Sequence, residues 1–206
     1  MEVPQIATDA NRKQPSAREL MLAGEWFCTP DMELARMRMR AQELQRLYNN
    51  CSPLDIKQQQ ALLARLLKRV GRDSWVEANF HCDYGVHIEI GDEVFINMNC
   101  TFVDGNRIVL GDRVYLSPNV QLMTTRHPLQ PEARTVLVDG RRKCVQRAAP
   151  IVLGNDVWVG AGAVLLGGVE VGDNSVIGAG SVVTRSIPPG VLAAGNPCRI
   201  IRSVYE

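Results

Sequence analysis

Apolar residues in the second half of the chain return every six positions. They stand at Ile90, Ile96 and Phe102, at Leu110, Leu116 and Leu122, and then at Leu153, Val159, Leu165, Val171, Ile177 and Val183. Four residues after most of them comes a small or branched side chain: Val94, Cys100, Val114, Val120, Val157, Ala163, Val169, Ser175 or Ser181. An apolar-Gly-Asp/Asn triplet opens each cycle, at Ile90-Gly91-Asp92, Leu110-Gly111-Asp112, Leu153-Gly154-Asn155 and Val171-Gly172-Asp173. A period of six fits neither an α-helix nor a hairpin sheet. It predicts a solenoid whose coil is a triangle of three short strands, each sending one apolar side chain inward. Three repeats of six make 18 residues, the spacing from Leu153 to Val171; the 20 from Ile90 to Leu110 asks for a two-residue bulge at one corner. The glycine is expected at a corner with positive φ.

Residues 16–72 carry a helical pattern instead. Ser16 is read as the cap of a short helix through Phe27. Thr29-Pro30-Asp31 reads as a second start, with Thr29 as N-cap, Pro30 in the first helical position and an acid in the first turn. Leu34, Met37, Ala41, Leu44 and Tyr48 keep one face, and Asn49-Asn50 ends it. Ser52-Pro53-Leu54-Asp55 repeats the start signal. Leu62, Leu63, Leu66, Leu67 and Val70 then form a stripe that Gly71 stops. Residues 31–72 hold nine Lys or Arg against four acids; without clustering or interleaved aromatics, they read as a solvated face. Residues 1–15, with Pro4, Pro15 and a polar stretch, are expected to be a flexible tail. The solenoid takes 73–206, with a C-terminal cap.

The repeat is interrupted once. From Leu110 to Leu153 is 43 residues, so a loop at about 123–149 is ejected, and long loops in compact folds tend to be functional. His127 stands at its start. The chain has 206 residues, 23 Lys or Arg against 22 Asp or Glu, and a net charge of +1. That balance gives no global footprint for nucleic acid or an anionic membrane, and no apolar run approaches the roughly 18–20 residues of a membrane helix. The start of the chain has no secretory pattern. Six cysteines without a CxxC are read as reduced thiols in a cytoplasmic protein. Aromatics are only 5%, as suits a narrow prism of stacked Val, Ile and Leu.

Several segments together resemble one family. They are Ala23-Gly24-Glu25, Cys82-Asp83-Tyr84-Gly85, Asn97, His127-Pro128, the run from Gly154 to Gly160, the run from Gly172 to Thr184, and Gly195-Asn196-Pro197-Cys198-Arg199. Between about residues 17 and 202 the chain resembles the hexapeptide-repeat sugar O-acetyltransferases, the galactoside and maltose acetyltransferase group. The resemblance implies a mostly β protein built on a left-handed parallel β-helix with an N-terminal helical segment. It also implies a homotrimer, acetyl-CoA as co-substrate without a metal, and active sites between subunits that take a sugar or another small hydroxyl acceptor.

Acetyl transfer from a thioester to a hydroxyl needs a base, groups to hold the oxyanion, and an acid for the departing thiolate. One imidazole can be base and then acid, and His127 matches the family's position for it. The plainer alternative is a loop His bonded to a backbone carbonyl. By the same resemblance Asn97 binds the acceptor or the oxyanion, and Asp31 and Asp83 bind acceptor hydroxyls. Asp83 leans toward maltose-type or broader sugar specificity. Ala161 and Ala179 match positions along the pantetheine arm, and Thr184, Arg185, Arg199 and Arg202 match the nucleotide end, where positive charge meets phosphates. Trp158 either lines the pocket or packs in an interface. His81 and His87 lie one repeat apart, on different faces of the prism, which disfavours a shared metal ion; both are expected at the surface. Cys82 and Cys100 point inward, and His81 and Cys82 face opposite ways on one strand, so direct transfer is preferred to an acyl-cysteine route. The alternatives are an acetyltransferase for a non-sugar acceptor, a non-catalytic scaffold, or a metal-dependent hydratase.

Overall fold

Three columns of short parallel strands stack in register into a triangular prism, a left-handed parallel β-helix. The computed structural model describes residues 15–206; all but Pro15 of the segment expected to be a tail lies outside the described residues. The first face stacks Arg69–Val70, Ile88–Ile90, Ile108–Leu110, Ile151–Leu153 and Glu170–Val171. The second stacks His81–Cys82, Thr101–Val103, Gln121–Met123, Val164–Leu166 and Val182–Val183. The third runs from Trp75–Val76 through Phe95–Ile96, Tyr115–Leu116, Trp158–Val159 and Val176–Ile177 to Val191–Ala194, where Arg199–Ser203 turns back antiparallel and closes it. Every apolar residue at the first repeat position, from Ile90 to Val183, is buried, and so are the small or branched residues four further on.

The repeat glycines are needed for a different reason from the expected one. Positive φ falls two residues later, at Glu93, Arg113, Asp156 and Asn174, with φ of 57°, 55°, 58° and 59°. The glycines themselves let coils stack: a Cβ on Gly111 would stand 2.7 Å from the Gly154 carbonyl oxygen of the next coil. The residue after each glycine then ties the coils together. Asp92 Oδ1 accepts the Arg72 N–H at 2.9 Å, Asp112 Oδ1 accepts from Asp92 at 2.9 Å, Asn155 Oδ1 from Asp112 at 2.8 Å and Asp173 Oδ1 from Asn155 at 2.7 Å.

Helix α1 (Ala17–Ala23) starts in a capping box of Ser16 and Glu19 and stops at Gly24, whose φ is 73°. It therefore ends short of Phe27. Residues Phe27–Thr29 instead form a strand that pairs antiparallel with residues 144–146. Asp31, not Thr29, caps helix α2 (Met32–Asn49), its Oδ1 accepting from Glu33 and Leu34 N–H. Helix α3 (Ile56–Leu66) is capped by Asp55 rather than Ser52. Val70 belongs to the first strand of the solenoid, so the coils begin before Trp75.

Strand His81–Cys82 is the open end of its face, and α2 covers it. Gln45 donates to the Cys82 carbonyl at 3.0 Å and accepts from the Cys82 N–H at 2.8 Å; Asn49 does the same for Phe80 at 3.0 and 3.1 Å. Four helical residues rise ~6 Å and two strand residues about 6.6 Å, so one helix row matches the strand's outward backbone groups.

The ejected segment is structured. Ile108–Leu110 pairs directly with Ile151–Leu153, leaving the coil register intact. Between them, Thr135–Val138 and Arg141–Ala148 form a hairpin, turning at Asp139 and Gly140, both with positive φ. The long strand also pairs with Phe27–Thr29 and Thr125–Arg126, which binds the arm to the body. Among the described residues, no helix is long and apolar enough to cross a membrane.

Candidate active site

His127 follows directly on strand Thr125–Arg126 and is exposed. Its Nδ1 lies 2.8 Å from the carbonyl oxygen of Val145, a buried residue of the long arm strand. A carbonyl can only accept, so Nδ1 carries a proton and, in the neutral ring, Nε2 holds the lone pair. The backbone contact that was the plainer alternative thus fixes the tautomer a base requires.

Beside this strand is a groove of about 390 Å³ whose lining includes Thr29, Asp31, Arg38, Gln42, Tyr84 and Cys144. Asp31 spends Oδ1 on capping α2, which leaves Oδ2 for a hydroxyl. Asp83 is tied to the groove through Arg38, whose Nη2 donates to Asp83 Oδ2 at 3.0 Å. Burial pushes the Asp83 carboxyl up, and the Arg38 guanidinium pulls against that. Arg38 also lies over the Tyr84 ring, 5.5 Å from its centroid. Sequence reading missed Arg38 and Gln42 by taking the charges of α2 as a solvated face. Positions 31, 35, 38 and 42 share one helical row, and that row was the signal.

A second groove, of about 430 Å³, is lined by Phe95, Asn97, Tyr115, Leu116, Ser117 and Trp158. Asn97 Oδ1 accepts the Met98 N–H at 2.8 Å, which leaves its NH₂ as the free end of the amide. Trp158 is 52% exposed and donates through Nε1 to Ser117 Oγ at 3.1 Å. Asn97 and Trp158 are therefore brought together, as are Asp31 and the Arg38–Asp83 pair. Neither groove includes His127 or the members of the other set.

The remaining candidates lie on the C-terminal coils. Ala161 and Ala179 are exposed at stacked corners, where the Gly180 N–H donates to the Ala161 carbonyl at 2.8 Å. Thr184 and Arg185 follow the last strand of the second face, exposed. Arg199 and Arg202 sit on the closing strand, exposed, with Arg199 Nη1 on the Cys198 carbonyl at 2.8 Å and Arg202 Nη1 on the Ser203 carbonyl at 3.0 Å.

His87 is buried, against expectation. It occupies the bulged corner of a coil and packs under Tyr84, ring centroids 5.5 Å apart. Its Nδ1 donates to the Asp104 carbonyl at 2.7 Å, and Asp104 Oδ1 accepts the Tyr84 N–H at 2.8 Å. Burial lowers the His87 pKa and pushes the Asp104 carboxyl up to about 7. His81 is exposed, on the second face. All six cysteines are free thiols. Burial pushes the Cys82 thiol far up and Cys100 up to about 11, so neither offers the thiolate an acyl-cysteine route needs.

Residues 20–71 match the family described as the maltose acetyltransferase hexapeptide capping motif, and residues 150–185 match the bacterial transferase hexapeptide (six repeats). A galactoside O-acetyltransferase of Escherichia coli (strain K12) is 39% identical over 188 residues, spanning 91% of this chain and 89% of that protein. Among solved structures, a maltose O-acetyltransferase from Clostridium difficile 630 superposes with a TM-score of 0.87 at 38% identity, covering 93% of this chain and 99% of that one. A galactoside acetyltransferase in complex with coenzyme A gives a TM-score of 0.85 at 38% identity, with 92% of each chain covered.

Proposed function

Because this chain belongs to the galactoside and maltose O-acetyltransferase family of hexapeptide-repeat proteins, we propose that it moves acetyl from acetyl-CoA to a hydroxyl of a sugar, with His127 as general base. The observation that carries this is the Val145 carbonyl on Nδ1 of an exposed imidazole, which leaves Nε2 basic at the foot of the arm. Nε2 takes the proton of the acceptor hydroxyl as its oxygen attacks the thioester carbonyl carbon. The tetrahedral intermediate collapses, the C–S bond breaks, and the imidazolium returns the proton to the thiolate sulfur.

In this reading Asp31 and Asp83 hold acceptor hydroxyls, with Arg38 bonded to the half-buried Asp83 carboxyl and offsetting part of the burial that pushes it up. The Asn97 amide NH₂ faces the acceptor or the developing oxyanion. Acetyl-CoA lies along the C-terminal coils, its pantetheine arm past Trp158, Ala161 and Ala179, and its phosphates near Thr184, Arg185, Arg199 and Arg202. The two grooves of one chain are separate, so a site that uses both sets needs surfaces from neighbouring subunits. The proposal therefore includes a homotrimer, in the cytoplasm. Thiol release from acetyl-CoA across a panel of mono- and disaccharides tests it. Turnover with sugars and none with other hydroxyl acceptors is the expected result, and release unaffected by every sugar would refute it.

A further inference from the structure

The arm that holds His127 is a strongly charged segment of a near-neutral chain. Residues 123–149 carry six basic residues, Arg126, Arg134, Arg141, Arg142, Lys143 and Arg147, against Glu132 and Asp139. None of the six is in an ion pair among the described residues. Arg134 is spent on the Pro128 and Leu129 carbonyls, and Arg147 on the Gly24 carbonyl and the Trp26 ring. Arg126, Arg141, Arg142 and Lys143 remain, the last three consecutive on the hairpin.

Their placement selects one of them. Side chains alternate along a strand, so Arg142, Cys144 and Gln146 share a face. Cys144 pairs with Thr29, and both line the groove that holds Asp31 and Arg38. Gln146 confirms the orientation by donating to Thr29 Oγ1 at 2.9 Å. Arg142 stands one two-residue step from Cys144 on that face, about 6.6 Å along the strand; it is exposed and lies next to the groove without being part of its lining. Its Nη1 donates to Thr135 Oγ1 of the neighbouring arm strand at 3.1 Å, and no carboxylate pairs with it among the described residues. Arg141 and Lys143 lie on the opposite face and add to the local positive potential. The cation inside the groove, Arg38, is already neutralised by Asp83.

We infer that the acceptor carries an anionic group, a phosphate or a carboxylate, and that Arg142 recognises it from beside the groove while its hydroxyls lie deeper, toward Asp31. This rests on the reading of that groove as the acceptor site. Three adjacent cations outside any ion pair repel one another, and an oxyanion with its bidentate geometry relieves that repulsion at the guanidinium. The same chemistry exists in the diphosphate of acetyl-CoA, so the experiment has to separate the two sources.

Initial rates are compared for matched pairs: galactose with galactose 6-phosphate and with galacturonate, and glucose with glucose 6-phosphate. At low salt, kcat/KM for an anionic member is expected to exceed its neutral partner by roughly 10-fold or more, the range of a hydrogen bond to a charged group. The preference is expected to shrink as salt rises. Arg142→Ala is expected to remove it and Arg142→Lys to keep part of it, with acetyl-CoA KM unchanged in both. Neutral members preferred in every pair, or a preference untouched by Arg142→Ala, would overturn the inference and leave acetyl transfer standing. A raised acetyl-CoA KM in Arg142→Ala would assign the arm to the donor and also overturn it. No acetylation of any sugar would refute the underlying reading itself.

Discussion

The side-chain amide of Gln45 bonds both backbone groups of Cys82, 37 residues away, donating at 3.0 Å and accepting at 2.8 Å. Gln45 is 6% exposed, so water does not replace it easily. Gln45→Leu fills the same volume but leaves the Cys82 N–H and carbonyl unpaired. Each such group costs ~1–3 kcal/mol, so a loss of about 2–4 kcal/mol in urea unfolding is expected. A loss near zero would mean that the strand edge needs no cover.

Gly111→Ala tests the stacking of coils apart from backbone strain, because Gly111 is not among the positive-φ residues. The new methyl would meet the Gly154 carbonyl at 2.7 Å. Overpacking of this kind costs ~1–3 kcal/mol. Gly140→Ala, at the arm's turn, has nothing within 4 Å but a φ of 71°. It should cost less than Gly111→Ala and be felt only in the arm, as read by melting temperature and amide exchange.

His127→Ala should lose roughly 10³-fold in kcat, within the ~10²–10⁴ typical of general acid–base groups. Acetyl-CoA affinity and melting temperature should hold, since the exposed ring supports no core position. Near-normal kcat in a folded variant would place the base elsewhere.

Arg185→Ala and Arg199→Ala should raise the acetyl-CoA KM more than they lower kcat, because phosphate contacts bind ground and transition states alike. Steady-state kinetics with acetyl-CoA varied decide this. If both KM values stay at the wild-type level, the nucleotide end does not lie there.

Asp104 sets a pH dependence of stability. Its carboxyl titrates at about 7 when folded, against 3.8 ordinarily, because it is buried. Between those values the folded chain holds a proton that the unfolded chain has released. The stabilisation is full below about pH 4 and is lost as pH rises toward about 7. His87 acts oppositely: its lowered pKa makes the fold lose stability as pH falls below the ordinary imidazole range. Asp104→Asn still offers an acceptor to the Tyr84 N–H but cannot ionise. Its melting temperature relative to wild type should therefore rise from pH 5 to pH 8. A constant difference would show that the Asp104 carboxyl does not titrate in this window.

The solenoid was legible because each inward position repeats one residue class at a fixed interval, as Leu110, Leu116 and Leu122 do. His87 was misplaced because it sits in the bulged corner, where the period of six lapses and no longer says which way a side chain points. The strand Phe27–Thr29 was hidden for another reason. Its partner lies 117 residues away, and Thr29-Pro30-Asp31 alone fits either of two caps. The candidate site was readable residue by residue but not as grooves: nothing local joins Arg38 to Asp83, or Cys144 to Thr29. The glycines were correctly singled out, yet their reason lies in a neighbouring coil rather than in their own φ.

Strand Ile108–Leu110 meets Ile151–Leu153 as squarely as Ile88–Ile90 meets Ile108–Leu110, although one return takes 43 residues and the other 20. The prism therefore does not register how much chain leaves at Met123 and comes back at Pro150. The tip of the excursion, around Asp139 and Gly140, can grow, shrink or change without retuning the prism, and the excursion departs with His127 at its root. On the proposed roles of His127 and Arg142, chemistry and selectivity are uncoupled in this architecture: the root of the excursion stays fixed while its tip is rewritten for a new acceptor.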